Sequence, residues 1–149
     1  MKHELSLRER ALKFLAQREH SRRELAAKLA PHAETPEELQ ALLDALASRR
    51  QLSDERYAEV RAHMLSRKYG AARIVHDLKA KGVAPELAEH AVEGARASES
   101  QRARDALRKK YGAPPQSREE SARQMRFLQS RGFSFDSIRS ALGGDEDAD

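Results

Sequence analysis

An internal repeat of about fifty residues constrains the fold of this chain more than any other feature of its sequence. Residues 49 positions apart share their apolar character: the pairs are Ala11 and Val60, Leu15 and Met64, Leu25 and Ile74, Leu29 and Leu78, Pro36 and Pro85, and Leu43 and Val92. A step of 50 positions leads to a third copy, with the pairs Leu78 and Leu128, Gly82 and Gly132, Val83 and Phe133, and Ala88 and Ile138. Three copies of this length predict a tandem array of small structural units.

Within each copy the apolar residues recur at three- and four-residue steps, which is the period of an amphipathic helix. Helix starts are marked by Ser21 with Glu24 three residues later, by Thr35 followed by Pro36, and by Ser53. No segment alternates apolar and polar residues over the length of a strand, so we assign no strands. The sequence therefore predicts an all-α chain of three three-helix units, each similar to a helix-turn-helix, in an elongated array that can curve.

The repeat also predicts where the units begin and end. We place them at residues 1–52, 53–97 and 98–144, followed by an acidic tail at 145–149. Because a unit of this size buries little surface alone, neighbouring units are expected to share apolar faces. Leu52, Tyr57 and Leu65 are the candidates for the first junction. A compact helical bundle, in which the repeat is only a relic of duplication, is the alternative.

Motifs for catalysis and metal binding are missing from the sequence. It contains no phosphate-binding loop and no dinucleotide-binding glycine pattern, and its six histidines include no pair at helical spacing. Asp54-Glu55 and Glu119-Glu120 stand where helices are expected to begin, and acids there favour the helix dipole. There is no cysteine, and no apolar run approaches the ~20 residues that span a bilayer. We therefore expect a cytoplasmic, non-enzymatic protein that needs no cofactor or metal and acts by binding.

Basic residues are concentrated in the second and third copies. Residues 61–81 contain six Lys or Arg and one acid, residues 101–131 contain nine and three, and the last five residues contain four acids. Beside Tyr69 and Tyr111 such stretches suit a polyanion, with cations on phosphates and rings on bases. A solvated helix face, with the tyrosines covering helix ends, fits the same pattern. The candidate partner-binding residues are Arg67, Lys68, Arg73, Lys79, Lys81, Arg108, Lys109 and Lys110, with Arg22, Arg23 and Lys28 as secondary candidates.

Several stretches of the sequence, taken in order, resemble the signatures of the RecX family. They are Arg18-x-x-Ser21-x-x-Glu24-Leu25-x-x-Lys28-Leu29, Leu52-Ser53-Asp54-Glu55-Arg56-Tyr57-Ala58, Gly70-Ala71-Ala72-Arg73-Ile74 and Lys81-Gly82-Val83. The resemblance extends from about residue 7 to residue 142. The chain departs from the family at Arg50, where a glycine usually ends the third helix and supplies a left-handed cap. This departure puts the geometry of the first junction in question.

The resemblance implies a tandem three-helix-repeat protein that binds the RecA recombinase–DNA filament. Proteins of this family damp the filament's ATP hydrolysis, strand exchange and coprotease activity, and so modulate recombinational DNA repair and the SOS response. The expected partner is therefore the RecA filament, with single-stranded DNA as a further candidate partner, no membrane, and the protein itself a monomer. A basic helical DNA- or RNA-binding protein that acts without a recombinase is the alternative, and an inert scaffold is a third.

Overall fold

The regular structure of this chain is helical throughout residues 4–143, which are the residues described by the computed structural model, and no strand occurs among them. None of these helices is both long enough and apolar enough to cross a bilayer. The all-α prediction is confirmed, and the predicted acidic tail lies outside the described residues. The helices are α1 Leu7–Gln17, α2 Arg22–Leu29, α3 Pro36–Ser48, α4 Asp54–Leu65, α5 Ala71–Ala80, α6 Pro85–Ala91, α7 Glu93–Ala97, α8 Glu99–Tyr111, α9 Arg118–Ser130 and α10 Phe135–Gly143, and a 3-10 turn at Ala30–His32 follows α2.

The predicted helix starts form because local side chains satisfy the first backbone N–H groups. Ser21 Oγ accepts a hydrogen bond from the Glu24 N–H at 3.1 Å, and the Glu24 carboxylate accepts one from the Ser21 N–H at 3.2 Å. At the starts of α3 and α4 the hydroxyl oxygens of Thr35 and Ser53 accept from the N–H groups of Glu38 and Arg56, both at 3.1 Å, and Pro36 is the first residue of α3. These starts depend on residues close in sequence, which is why the sequence predicts them.

The core consists of three separate clusters of buried apolar side chains, one formed by α1–α3, one by α4–α7 and one by α8–α10. Leu25 and Ile74, which the repeat pairs, are both fully buried. Leu52 packs in the first cluster, whereas Tyr57 and Leu65 pack in the second. These three residues are therefore divided between two clusters among the described residues, and each cluster is completed by the helices of its own unit.

The first helices of the three units are aligned by their N-cap serines, and not by the 49-residue step. The alanine five residues after each serine is fully buried: Ala11 after Ser6, Ala58 after Ser53, and Ala103 after Ser98. Val60 and Met64, which the 49-residue step pairs with Ala11 and Leu15, are instead 55% and 49% exposed. The predicted pairing is wrong by two residues, and two residues correspond to about 200° around a helix.

Left-handed residues end helices at equivalent points of the fold. Gly82 and Gly132 follow α5 and α9 with φ values of 89° and 84°, a conformation that favours glycine. Arg50 follows α3 with a φ of 59°. The Leu52 N–H still bonds the Leu46 carbonyl at 3.2 Å, so the turn forms without the glycine. The departure from the family pattern therefore leaves the first junction intact, at a cost of about 1–2 kcal/mol for the strained residue.

The first and second units meet where α2 begins. The Ser21 hydroxyl donates a hydrogen bond to the Lys81 carbonyl at 2.8 Å. The Arg22 N–H donates to the Asp54 carboxylate at 2.7 Å, so an acid at the start of α4 satisfies the first N–H group of α2. We call this set of contacts the first joint.

A second joint repeats the same arrangement between the second and third units. The Gly70 N–H donates to the Arg131 carbonyl at 2.8 Å, and the Ala71 N–H donates to the Glu99 carboxylate at 2.7 Å. A Cβ atom added to Gly70 would lie 2.5 Å from the Phe133 Cα, so the two backbones are in direct contact. Hydrogen bonds and backbone contact therefore fix how these units sit against each other.

Candidate binding surface

The side chains of two predicted partner-binding arginines, Arg23 and Arg73, pack at the joints. A Cβ atom added to Gly82 would lie 2.7 Å from the Arg23 Cβ, and Arg73 packs in the same manner against Gly132. The Arg73 guanidinium also donates to the Ser130 carbonyl at 3.0 Å. The stems of Arg23 and Arg73 thus help to hold neighbouring units together, while both side chains remain solvent exposed at their ends.

The other secondary candidates are also engaged within the protein. The Arg22 guanidinium forms an ion pair with Asp44 at 2.7 Å. The Lys28 ammonium lies 2.8 Å from His20 Nε2 and 5.0 Å from the centre of the Phe14 ring. A partner would have to compete with these contacts, although an exposed ion pair such as Arg22–Asp44 contributes only about 0–1 kcal/mol.

Most of the primary candidates have no side-chain partner among residues 4–143. Arg67 and Lys68 directly follow the last turn of α4, and Arg108 and Lys109 lie in the last turn of α8, where the helix dipole favours cations. These side chains are therefore available to an anionic partner without the loss of an intramolecular contact. Within the described range 4–143, the primary candidates whose side chains have no partner are Arg67, Lys68, Lys79, Lys81, Arg108 and Lys109.

Aromatic rings and guanidinium groups alternate across the second joint. The Arg73 guanidinium carbon lies 4.9 Å from the centre of the Tyr69 ring. The Arg131 guanidinium carbon lies 5.6 Å from the centre of the same ring and 4.9 Å from the centre of the Phe127 ring. Because Tyr69 belongs to the second unit and Phe127 to the third, Arg131 links the two units through its ring contacts.

Phe127 extends this arrangement into the third unit. The Lys110 ammonium lies 5.7 Å from the centre of the Phe127 ring, and the Tyr111 ring meets Phe127 edge-on at a centroid distance of 5.7 Å. These contacts join one continuous set of alternating rings and cations, which we call the cation–aromatic ladder. Its members are Tyr69, Arg73, Lys110, Tyr111, Phe127 and Arg131.

The ladder gives the molecule cations whose positions are fixed before a partner arrives. Apart from the N–H that Arg73 donates to the Ser130 carbonyl, a guanidinium group stacked on a ring keeps its N–H groups available for a phosphate or a carboxylate, and little side-chain freedom is lost on binding. The rings of Tyr69 and Tyr111 contact groups of their own chain, which favours the interpretation that they cover helix ends. The sequence did not single out Arg131 or Phe127, although Arg131 is the 50-residue counterpart of the predicted Lys81.

A buried acid beside the ladder holds the second joint in place. Glu99 is 4% exposed and accepts hydrogen bonds from the Ala71 N–H, the Ser134 N–H and the Ser137 hydroxyl at 2.7, 3.1 and 2.6 Å. Burial alone would raise the pKa of Glu99, but these donors keep that pKa below its usual value. Arg102 donates to three carbonyls of the second unit. The sequence missed both residues because their partners are distant along the chain.

Three potential metal ligands come together away from the ladder. Glu55, Glu59 and His90 each place one ligand atom within 4.8 Å of the others, and all three side chains are exposed. Exposed acids one helical turn apart are common on protein surfaces without a bound ion. The cluster therefore gives no reason to revise the expectation that the protein needs no metal.

Comparison with known proteins places this architecture in a family. Sequence profiles described as the second and the third three-helix domain of RecX match residues 53–92 and 98–142. The protein named Regulatory protein RecX from Leptothrix cholodnii is 48% identical over 139 residues, which span 93% of this chain and 88% of that protein. Its namesake from Herbaspirillum seropedicae is 47% identical over 138 residues, or 93% of this chain and 90% of that protein.

Solved structures share the same arrangement of helices. The crystal structure of RecX from Lactobacillus salivarius has a TM-score of 0.77 at 20% identity and covers 92% of both chains. A second crystal structure of regulatory protein RecX has a TM-score of 0.75 at 19% identity and covers 92% of this chain and 71% of that one. These likenesses show the fold, whereas the profiles and the two relatives show the family. On that evidence the chain belongs to the RecX family of regulatory proteins.

Proposed function

We propose that this protein binds the RecA recombinase–DNA filament and inhibits it by binding alone. In this proposal it damps the filament's ATP hydrolysis, strand exchange and coprotease activity, and so regulates recombinational DNA repair and the SOS response. Membership of the RecX family supports a regulatory role. The observation that carries the proposal is the cation–aromatic ladder, which presents cations of two units beside one joint.

The tandem architecture supports this mode of action. Three linked units, at residues 1–52, 53–97 and 98–144, can each contribute weak contacts that combine into tight binding through effective concentration. Joints fixed by hydrogen bonds reduce the ordering cost of such multipoint contact. A protein that binds one filament geometry better than another shifts the filament toward the favoured geometry, and needs no catalytic group to do so.

Charge reversal at basic side chains that have no partner among the described residues tests the proposal. The recombinase ATPase is measured on single-stranded DNA while the protein is titrated in, and Arg67→Glu with Lys68→Glu is compared with the wild type. Both side chains are exposed and have no side-chain partner among residues 4–143, and circular dichroism checks that the variant keeps the fold. We expect half-inhibition to need at least about tenfold more of the double variant, because two charge-assisted contacts become repulsive.

A matched control separates a specific contact from a change in net charge. Lys13→Glu with Arg49→Glu reverses two exposed cations of the first unit and alters the net charge by the same amount. We expect this control to inhibit the ATPase nearly as well as the wild type. Full inhibition by the Arg67 and Lys68 variant, or an equal loss in both variants, would remove these residues from the mechanism.

A nucleic-acid-binding protein without a recombinase partner is the competing function. The ladder favours it to some extent, because rings and cations also suit single-stranded DNA. Affinity for bare single-stranded DNA is measured across a range of salt concentrations and compared with affinity for the assembled filament. We expect weak, strongly salt-dependent binding to bare DNA and much tighter binding to the filament. Equal affinities for the two would favour the competing function.

A further inference from the structure

Two large apolar side chains of α4 face solvent. Val60 is 55% exposed and Met64 is 49% exposed. They are one helical turn apart, so they lie on the same side of α4. Their exposure leaves an apolar stripe that the core of the second unit does not use.

The equivalent helices of the other units have polar residues at these positions. When α1, α4 and α8 are aligned on their N-cap serines and buried alanines, Val60 corresponds to Lys13 and Asp105, and Met64 corresponds to Gln17 and Lys109. Both positions therefore accept polar residues in this fold, as the first and third units show. Stability alone does not account for the apolar pair in the middle unit.

The stripe borders a groove at the first joint. The groove has a volume of about 300 Å³ and is lined by Val60, Met64 and the buried Tyr57, with Arg18 and Lys81 at its edges. This volume is enough for an apolar side chain together with part of the segment that carries it. The groove therefore combines apolar lining with a charged edge, as sites for protein segments commonly do.

The charges at the edge of the groove favour an acidic neighbour. Its two carboxylates are already neutralised, since Glu24 pairs with Arg18 at 2.9 Å and Glu19 pairs with Arg56 at 2.5 Å. Lys81 has no side-chain partner among the described residues. An approaching carboxylate would meet this free ammonium, and an approaching cation would be repelled by it.

We propose that this groove docks a segment of the recombinase that carries an apolar side chain beside an acidic residue. The apolar side chain packs on Val60 and Met64, and the carboxylate pairs with Lys81. This inference rests on the proposed function and names a protein contact that is separate from the cation–aromatic ladder. The apolar lining suits a protein segment better than a DNA backbone, whose outer surface consists of charged phosphates.

A fluorescent probe at the groove tests the contact directly. The chain contains no cysteine, so Met64→Cys provides one site for an environment-sensitive fluorophore. Gln17→Cys provides a matched probe at the equivalent position of α1, outside the candidate binding residues. We expect a blue shift on addition of the filament for the Met64 probe alone, and no such shift with bare single-stranded DNA. The same response at both positions, a response to bare DNA, or no response at Met64 would overturn the inference.

An affinity measurement supplies an independent readout that does not need a bulky probe. Val60→Ser with Met64→Gln removes the apolar stripe, leaves the charge unchanged and alters only exposed side chains. We expect affinity for the filament to fall at least about tenfold, while affinity for bare single-stranded DNA and the melting temperature stay unchanged. If the wild type binds the filament and the double variant binds it equally well, the groove inference is wrong and the proposed function stands. If the wild type does not bind the filament, the proposed function itself fails.

Discussion

Arg50 shows how a single residue can keep the geometry of a turn while straining it. Its φ of 59° lies in the left-handed region, which costs an L-residue about 1–2 kcal/mol. Its side chain is exposed, its N–H donates to the Ala47 carbonyl at 3.0 Å, and its carbonyl accepts from Arg56 Nη1 at 2.9 Å. A glycine would keep that carbonyl and remove the strain.

We therefore expect Arg50→Gly to raise the free energy of unfolding by about 1 kcal/mol, after allowance for the greater freedom of glycine in the unfolded chain. Urea-induced unfolding followed by circular dichroism measures the change. Arg49→Gly is the matched control, because Arg49 has a φ of −91° and gains nothing from glycine. A loss of stability in Arg50→Gly comparable to the control's would show that the turn is not strained.

The environment of His20 determines its protonation state. It is 1% exposed, with Nδ1 3.0 Å from the Arg18 carbonyl and Nε2 2.8 Å from the Lys28 ammonium. A carbonyl only accepts and an ammonium only donates, so the ring is neutral with its proton on Nδ1. Burial lowers the pKa of His20 below its usual 6.5, and the cations of Arg18 and Lys28 act in the same direction.

This depressed pKa makes folding stability depend on pH with a definite sign. Below about pH 6.5 the unfolded chain takes up a proton at His20 that the folded chain resists, so the free energy of unfolding falls as pH drops from 7.5 to 5.5. We expect His20→Gln, which keeps an acceptor for Lys28, to show a flatter dependence over this range. Urea unfolding at several pH values measures both slopes, and equal slopes would contradict the assignment.

At the scale of helices, the sequence predicts what is local and misses what is distant. The capping of α2 by Ser21 and Glu24 follows from two residues in one turn, and the buried faces follow from helical period. The register of α1 against α4 was predicted wrongly, because the buried positions are occupied by Ala11 and Ala58, which carry little hydrophobic signal. Small residues leave the helical period ambiguous, so the repeat was aligned on the larger Val60 and not on Ala58.

The joints were not predictable because their contacts join residues far apart in sequence. Nothing near Glu99 indicates that its carboxylate would accept from the Ala71 N–H. The backbone conformation of Gly70 does not explain the glycine either, because its φ of −78° suits any residue. Only the contact across the joint shows the reason for that glycine, and the same contact provides a test of how the units are joined.

We expect Gly70→Ala to open the second joint, because the new Cβ would lie 2.5 Å from the Phe133 Cα, a backbone atom that cannot move aside alone. Destabilisation of about 1–3 kcal/mol follows. Gly94→Ala is the matched control: nothing lies within 4 Å of a Cβ there, and alanine favours the helix. Urea unfolding and amide hydrogen exchange of α5 and α10 provide the measurements. Equal behaviour of the two variants would show that the backbones do not meet as described.

At the scale of the whole molecule, the sequence repeat predicts a tandem array of three units. The cation–aromatic ladder is not predicted by the repeat, because it forms only where the second joint brings two units together. Three separate cores linked by polar joints leave more surface exposed than one shared core would. The accessible surface of the chain is 10073 Å², against roughly 7,700 Å² for a compact protein of this mass. Residues such as Tyr69 and Arg131 come together because the second joint sets the angle between their units, and that angle is not encoded in any short stretch.

This shape has a direct consequence in solution. A compact chain of this length would have a radius of gyration of about 15 Å, and we expect small-angle X-ray scattering to give a clearly larger value with an asymmetric distance distribution. Gly70→Ala should broaden that distribution further, since it loosens the second joint, whereas Gly94→Ala should not. If the radius of gyration were close to that of a sphere, the three units would be packed around one centre. The cations of the three units could not then contact a long partner at several points, and the proposed mode of filament binding would be wrong.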